Sequence, residues 1–133
     1  MVEHFQRTSS DTAEVLMARA LTALDQRKFD VSLQVLDQVV TLEPEWAEGW
    51  NRRATVRFLA EDFNGSVEDI AHVLALEPRH FGALVGLANI LERSGFNKGA
   101  LQVWRQVKAL YPQLPEMDKS IDRLTLDVEG REI

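Results

Sequence analysis

Cysteine is absent from the 133 residues. That excludes a disulfide, a thiol nucleophile and any thiolate metal site. It fits the cytosol, taken as the default, and equally the periplasm if the chain is a mature form or a fragment. Histidine is scarce as well, with only His4, His72 and His80. None stands four residues from another and no HExxH pattern occurs, so the spacing predicts no zinc site. There is no GxSxG elbow and no phosphate-binding P-loop. Carboxylates are plentiful, but Glu61-Asp62 and Glu68-Asp69 are adjacent pairs, which do not face each other on a helix. With no nucleophile and base to name, the expectation is a protein that is not an enzyme and needs no cofactor.

An excess of positive charge is missing too. The net charge is −6, which speaks against a nucleic-acid partner, since phosphate binding rests on lysine and arginine. No apolar run approaches the roughly 18 residues that a membrane span requires. The longest, Phe81 to Ala88, reads as part of a helix, so a soluble chain without membrane insertion is expected. The opening MVEHFQRTSSD has no basic start followed by an apolar core, so it does not read as a signal peptide. Apolar residues make up 45% of the chain, enough for one domain with a continuous core.

Prolines number only four, and three of them, Pro44, Pro78 and Pro112, stand 34 residues apart. Small residues keep the same step at Ala20, Ala54 and Ala88, and again at Ser32, Ser66 and Ala100. Large apolar residues follow at Leu16, Trp50 and Leu84; at Leu36, Ile70 and Trp104; at Val39, Val73 and Val107; and at Leu42, Leu76 and Leu110. A fixed period of this length signals stacked helical units. Apolar spacing predicts a first helix from Asp11, capped through Asp11 and Glu14, to about Gln26. A turn at Phe29-Asp30 follows, with Asp30 capping a helix that Pro44 ends. The next pair is expected at about Glu45 to Ala60 and Asn64 to Glu77, with Asn64-Gly65 as a turn signal. The last pair is expected at about Arg79 to Arg93 and Asn97 to Leu110, turning at Ser94-Gly95. After Pro112 the period stops. Pro115 suits a helix start, and Met117, Ile121, Leu124 and Val128 form one apolar stripe.

This column pattern resembles the tetratricopeptide repeat (TPR) family, in which each copy is a helix A, a turn and a helix B. The phrases AEGWNRRAT and LALEPRHFGALVGL are similar to short bacterial TPR proteins. The resemblance implies an all-α, right-handed α-solenoid of three helix-turn-helix TPR units with a C-terminal capping helix. The expected divisions are a flexible lead-in over 1–10, three repeats over 11–114 (13–46, 47–80, 81–114), a capping helix over 115–129 and a tail over 130–133. Trp50 matches the bulky residue near the start of helix A. The family's leucine before the small residue is Arg19 and Arg53 in the first two copies, and only Leu87 conforms. Its later tyrosine is Ala23, Arg57 and Leu91. Arg53 and Arg57 share a helix face and are expected to pack their stems and pair with acids such as Glu68 or Asp69. Arg19, one period earlier, points to the same structural role.

In the family, helices A line a concave groove that receives peptides or helices. The resemblance therefore implies a non-catalytic protein–protein interaction module, an adaptor or assembly scaffold with a protein or peptide partner. Its groove would be lined by Met17, Leu21 and Leu24, then Asn51, Arg52, Thr55 and Phe58, then Val85, Gly86 and Asn89. Asparagine can both donate to and accept from a peptide backbone, and arginine can grip a carboxylate. Leu24 and Phe58 read equally well as core. One TPR subgroup clamps the terminal carboxylate of chaperones, but its positions here are Met17, Leu21, Arg52, Gly82 and Gly86. None matches in residue type, so no chaperone-tail clamp is expected. A self-assembling module is the alternative, a homo-oligomer formed through the N-terminal face or the groove.

Overall fold

A computed structural model describes residues 10–130, and among them there are seven α-helices and no strand. The chain divides into two units, Met1–Pro78 and Arg79–Ile133. The first holds α1 (Asp11–Asp25), α2 (Phe29–Leu42), α3 (Ala47–Leu59) and α4 (Phe63–Leu76). The second holds α5 (Phe81–Arg93), α6 (Asn97–Leu110) and α7 (Glu116–Glu129). The all-α class and the pairing of helices follow the expected pattern. The expected lead-in, Ser10 apart, and residues 131–133 of the expected tail lie outside the described residues.

Helix starts and stops correct several local expectations. Ser10, not Asp11, caps α1, its side chain accepting from the Ala13 N–H at 3.0 Å. Asp11 and Glu14 sit instead in the first turn, where negative charge favours the helix dipole. The turns of the first two helix pairs lie earlier than the dipeptide signals suggested, whereas the third stands at Ser94-Gly95 as expected. Arg27, Glu61 and Gly95 all have positive φ, at 59°, 65° and 84°, and they too are spaced by the 34-residue period. In each turn the next residue's N–H closes the preceding helix: Lys28 onto Ala23 O, Asp62 onto Arg57 O and Phe96 onto Leu91 O, each at 2.8 Å. This is the left-handed helix stop, with glycine supplied only in the third copy. Asp30 therefore lies in the first turn of α2, behind Lys28, rather than at its cap.

Asn64-Gly65 is likewise helical rather than a turn. Asp62 caps α4 by accepting from the Gly65 N–H at 3.0 Å. A Cβ at position 65 would overlap that carboxylate and lie 3.0 Å from the Arg57 stem. Glycine is needed there for close approach, not for its φ freedom. In α5 the imidazole of His80 is the cap, its Nδ1 accepting from the Ala83 N–H at 3.0 Å. That contact requires Nδ1 to carry no proton.

In the first unit Met17, Ala20, Leu36, Val39 and Val56 form a buried cluster, with Leu16, Leu21, Leu24, Phe29, Leu33, Val35 and Trp46 packed against it. Burying each large aliphatic side chain is worth about 1.5–3 kcal/mol. The small-residue columns mark the crossings within each helix pair. Ser32 Oγ donates to Ala20 O at 2.9 Å, and Ser66 Oγ donates to Ala54 O at 2.8 Å, both buried. In the second unit Leu84, Ala88, Ile90, Ala100, Leu101, Trp104 and Val107 are buried. There the Trp104 indole donates to Glu92 at 3.1 Å. Pro115 is the N-cap of α7, whose Met117 and Leu124 are buried with Ile121 and Val128 half-buried. This is the expected stripe. Tyr111 ties the end of α6 to the start of α5: its hydroxyl donates to Arg79 O at 2.6 Å, and its ring meets Phe81 edge-on.

Candidate functional site

Helix α3 is the most polar of the A helices, and its polar residues divide into two groups. The inner group serves the fold. Asp69 on α4 is fully buried and takes Arg53 bidentately, with Nε at 3.0 Å and Nη2 at 2.8 Å. Arg57 adds Nη1 at 3.2 Å to the same carboxylate and bonds the Gly65 carbonyl at 3.2 Å. Asp37 on α2 meets the remaining Arg53 Nη1 at 2.8 Å. Burial alone would lower the Arg53 pKa, but Asp69 and then Asp37 outweigh it, and the guanidinium is held above its ordinary range. A raised cation contributes its full stabilisation below its unfolded pKa and loses it only as pH rises through the folded value. Around neutrality Arg53 therefore gives stability no slope with pH. Among the described residues every buried side-chain nitrogen and oxygen has a hydrogen-bond partner.

Trp50 is built into the same region. Its indole N–H donates to Pro44 O at 2.8 Å, so the proline that ends one copy anchors the bulky residue that opens the next. His72 stacks on its ring at 3.8 Å between centroids, 7° from parallel. Arg53 lies over the ring at 5.2 Å.

The outer group contains the candidate partner residues of α3. Arg52 is half-exposed and pairs with Glu48 one turn earlier at 2.5 Å. Asn51 is half-buried. Thr55 is exposed and donates back to Asn51 O at 3.1 Å. Phe58 is half-buried, its ring 5.5 Å from Phe63 and tilted by 53°. Asn51, Thr55 and Phe58 are spaced four and three residues apart and share one side of the helix. On α5 Val85 and Gly86 are half-buried and Asn89 is exposed.

On α1 the expectation needs correction. Met17 is a core residue, 7% exposed and clustered with Leu36, Val39 and Val56, because its place on α1 faces α2 and α3. Leu21 and Leu24 pack against that same cluster and keep only part of their surface. A second correction concerns Arg19, which is exposed. It does not repeat the buried role of Arg53, since the place of Asp69 is taken by Val35 in the first copy. The Glu48–Arg52 pair went unread, although its four-residue spacing is the standard signal. No comparable signal announced Asp37, which reaches Arg53 only through the packing of α2 against α3.

Among the described residues no His, Asp and Glu group is placed to hold a metal ion. No described helix is long and apolar enough to cross a membrane.

No protein-family model matches the chain. A TPR repeat-containing protein of Rhizobium etli is 37% identical over 123 residues, covering 92% of this chain and 60% of that protein. The chain thus spans about three fifths of that relative's length. Among solved structures, the first TPR of Spaghetti (RPAP3), bound to an HSP90 peptide, superposes with a TM-score of 0.83 at 17% identity. It covers 92% of this chain and 97% of its own. The Yersinia enterocolitica type III secretion chaperone SycD, in complex with a peptide of the translocator YopD, gives 0.82 at 15% identity over 90% and 96% of the two chains. Seven helices among the described residues, in three periodic pairs plus one, together with these relatives, make the chain a member of the tetratricopeptide repeat family: three repeats followed by a C-terminal helix.

Proposed function

We propose that this chain is a non-catalytic protein-interaction module that holds a peptide or helix of a partner protein, with α3 as the helix that grips it. The observation that carries this reading is the division of labour on α3. Arg53 and Arg57 are consumed by Asp69, while Arg52, Asn51 and Thr55 keep accessible polar surface. On α3 these three supply a carboxylate-binding cation and groups able to pair with a peptide backbone. Phe58 and Leu24 add apolar contact at their accessible edges. Asn89, with Val85 and Gly86, is the corresponding set on α5. Two neighbours of the same fold were solved with peptides bound, which supports the class of ligand without naming this chain's own.

The test is selection from a displayed random-peptide library, repeated with Arg52→Ala combined with Asn89→Ala. Both side chains lie outside the core, so the double variant should melt like the parent and lose the selected peptides. Undiminished capture by a folded double variant would remove these helices from the binding role.

A second reading, self-assembly, is favoured by one observation: Val15 on α1 and Val31 on α2 are each about half exposed, at 56% and 48%. Sedimentation across a concentration series separates the two readings, because an adaptor keeps its mass constant.

A further inference from the structure

We propose that the face of α6 beneath α7 is a second docking site, fitted to an acidic amphipathic helix of a partner protein, with α7 as the occupant that the chain supplies to itself. The site lies wholly in the second unit and does not depend on the reading of α3 above. The motivating observation is charge. The chain as a whole is acidic, yet α6 carries Lys98, Arg105 and Lys108 and no acid. Helix α7 is its complement, with five carboxylates against two cations. Lys108 meets Asp118 at 2.8 Å and Arg105 meets Glu129 at 3.2 Å. These contacts fix the polarity of the bound helix, since the acids stand near its two ends. Between them the apolar stripe supplies Met117 and Leu124 to the buried layer.

The attachment is of a kind that can be exchanged. Both ends of the Arg105–Glu129 and Lys108–Asp118 pairs are solvent-exposed, and in the Arg123–Glu92 pair the α7 side chain is. Such pairs hold weakly and are screened by salt. Only two side chains of α7 are fully buried, against four each on α5 and α6. The connection from Tyr111 to Pro115 contains Pro112 and Pro115, which stop α6 and α7 from forming one continuous helix. Helix α7 can therefore leave without unwinding α6. A partner helix with apolar residues at the spacing of Met117, Ile121, Leu124 and Val128, and with acids near both ends, would satisfy the same cations and fill the same apolar layer.

The test uses the full chain and a fluorescent synthetic peptide of residues 115–130 as the stand-in acidic helix. Met117→Ala with Leu124→Ala loosens the internal α7 and leaves α6 unchanged. The peptide should bind this variant at least about tenfold more tightly than it binds the parent, because the internal competitor is weakened. Adding Arg105→Glu and Lys108→Glu should abolish the gain, as should salt at about 0.5 M. No gain in the loosened variant, or a gain indifferent to charge reversal, would overturn the proposal. Amide exchange on the unmodified chain gives an independent check. Helix α7 should exchange by its own opening, ahead of α6, and exchange of the two together would also overturn it. A mass that rises with concentration in the unmodified chain would name a second copy as the occupant and overturn the assignment to a separate partner.

Discussion

The second and third repeats place opposite chemistry at the same three positions. Arg53, Arg57 and Asp69 in the second correspond, one period on, to Leu87, Leu91 and Val103 in the third. In the second repeat α3 and α4 are joined through a buried carboxylate shared by two guanidiniums. In the third the same positions are apolar, with Leu84 and Ala88 of α5 and Leu101 of α6 buried, and the polar link between the helices is the Trp104 indole on Glu92. The first repeat completes the series with Arg19, Ala23 and Val35, and its arginine is exposed. An arginine in this column is thus drawn partly into the interior only where the partner helix offers an acid. The acid, not the arginine, decides whether the crossing is polar.

The harshest way to break the comparison is to remove the acid alone. Asp69→Ala leaves Arg53 and Arg57 partly buried without their shared counter-charge. The expected loss is about 3–5 kcal/mol in denaturant unfolding, the cost of orphaning a buried charge. Loss of under about 1 kcal/mol would mean that water and Asp37 already satisfy the arginines. Converting the whole set to third-repeat residues, Arg53→Leu with Arg57→Leu and Asp69→Val, removes both sides of the interaction together. That triple variant should match the parent or exceed it by about 1–4 kcal/mol. A triple variant as unstable as Asp69→Ala would show that the aliphatic set needs neighbours found only in the third repeat.

The turns give a gentler version of the same contrast. Gly95 has φ 84° where Arg27 and Glu61 have 59° and 65°. The third repeat uses the residue suited to a left-handed stop and the other two tolerate strain. Gly95→Ala should cost about 1–2 kcal/mol in thermal or urea unfolding, bringing the third turn into line with the others. A neutral result would mean that the left-handed position carries no strain in this turn.

These two contrasts also show what could be read from the chain alone. The period, the small-residue crossings and the stripe of α7 were legible because each is a column or a spacing that packing cannot easily override. The pairing of Arg53 and Arg57 with Asp69 followed from helix faces. The third turn is legible at Ser94-Gly95, but the first two are not, because the usual signal, a glycine or an Asn-Gly pair, is absent at Arg27 and Glu61 and present at Gly65, where it serves close packing instead. Met17 was misassigned for a similar reason. Its place in the period says which helix it is on, but whether that side of α1 is covered depends on how α2 and α3 lean on it.

The smallest expected effect on stability is also the one that sharpens the comparison for function. Arg52 and Glu48 form an exposed pair four residues apart, with glutamate on the N-terminal side, the favourable order. Arg52→Ala should cost only about 0.3–0.5 kcal/mol, part of it offset by the better helix propensity of alanine. Any larger loss in peptide capture must then come from the partner. Comparing Arg52→Ala with Asn89→Ala, each alone, asks whether the second or the third repeat carries the grip. A guanidinium facing a carboxylate should lose about tenfold or more in affinity when deleted, since charge-assisted bonds exceed neutral ones. A neutral amide pairing with backbone should lose less. If Asn89→Ala proves the costlier change, the grip lies on α5 beside Val85 and Gly86, and Arg52 does no more than pair with Glu48.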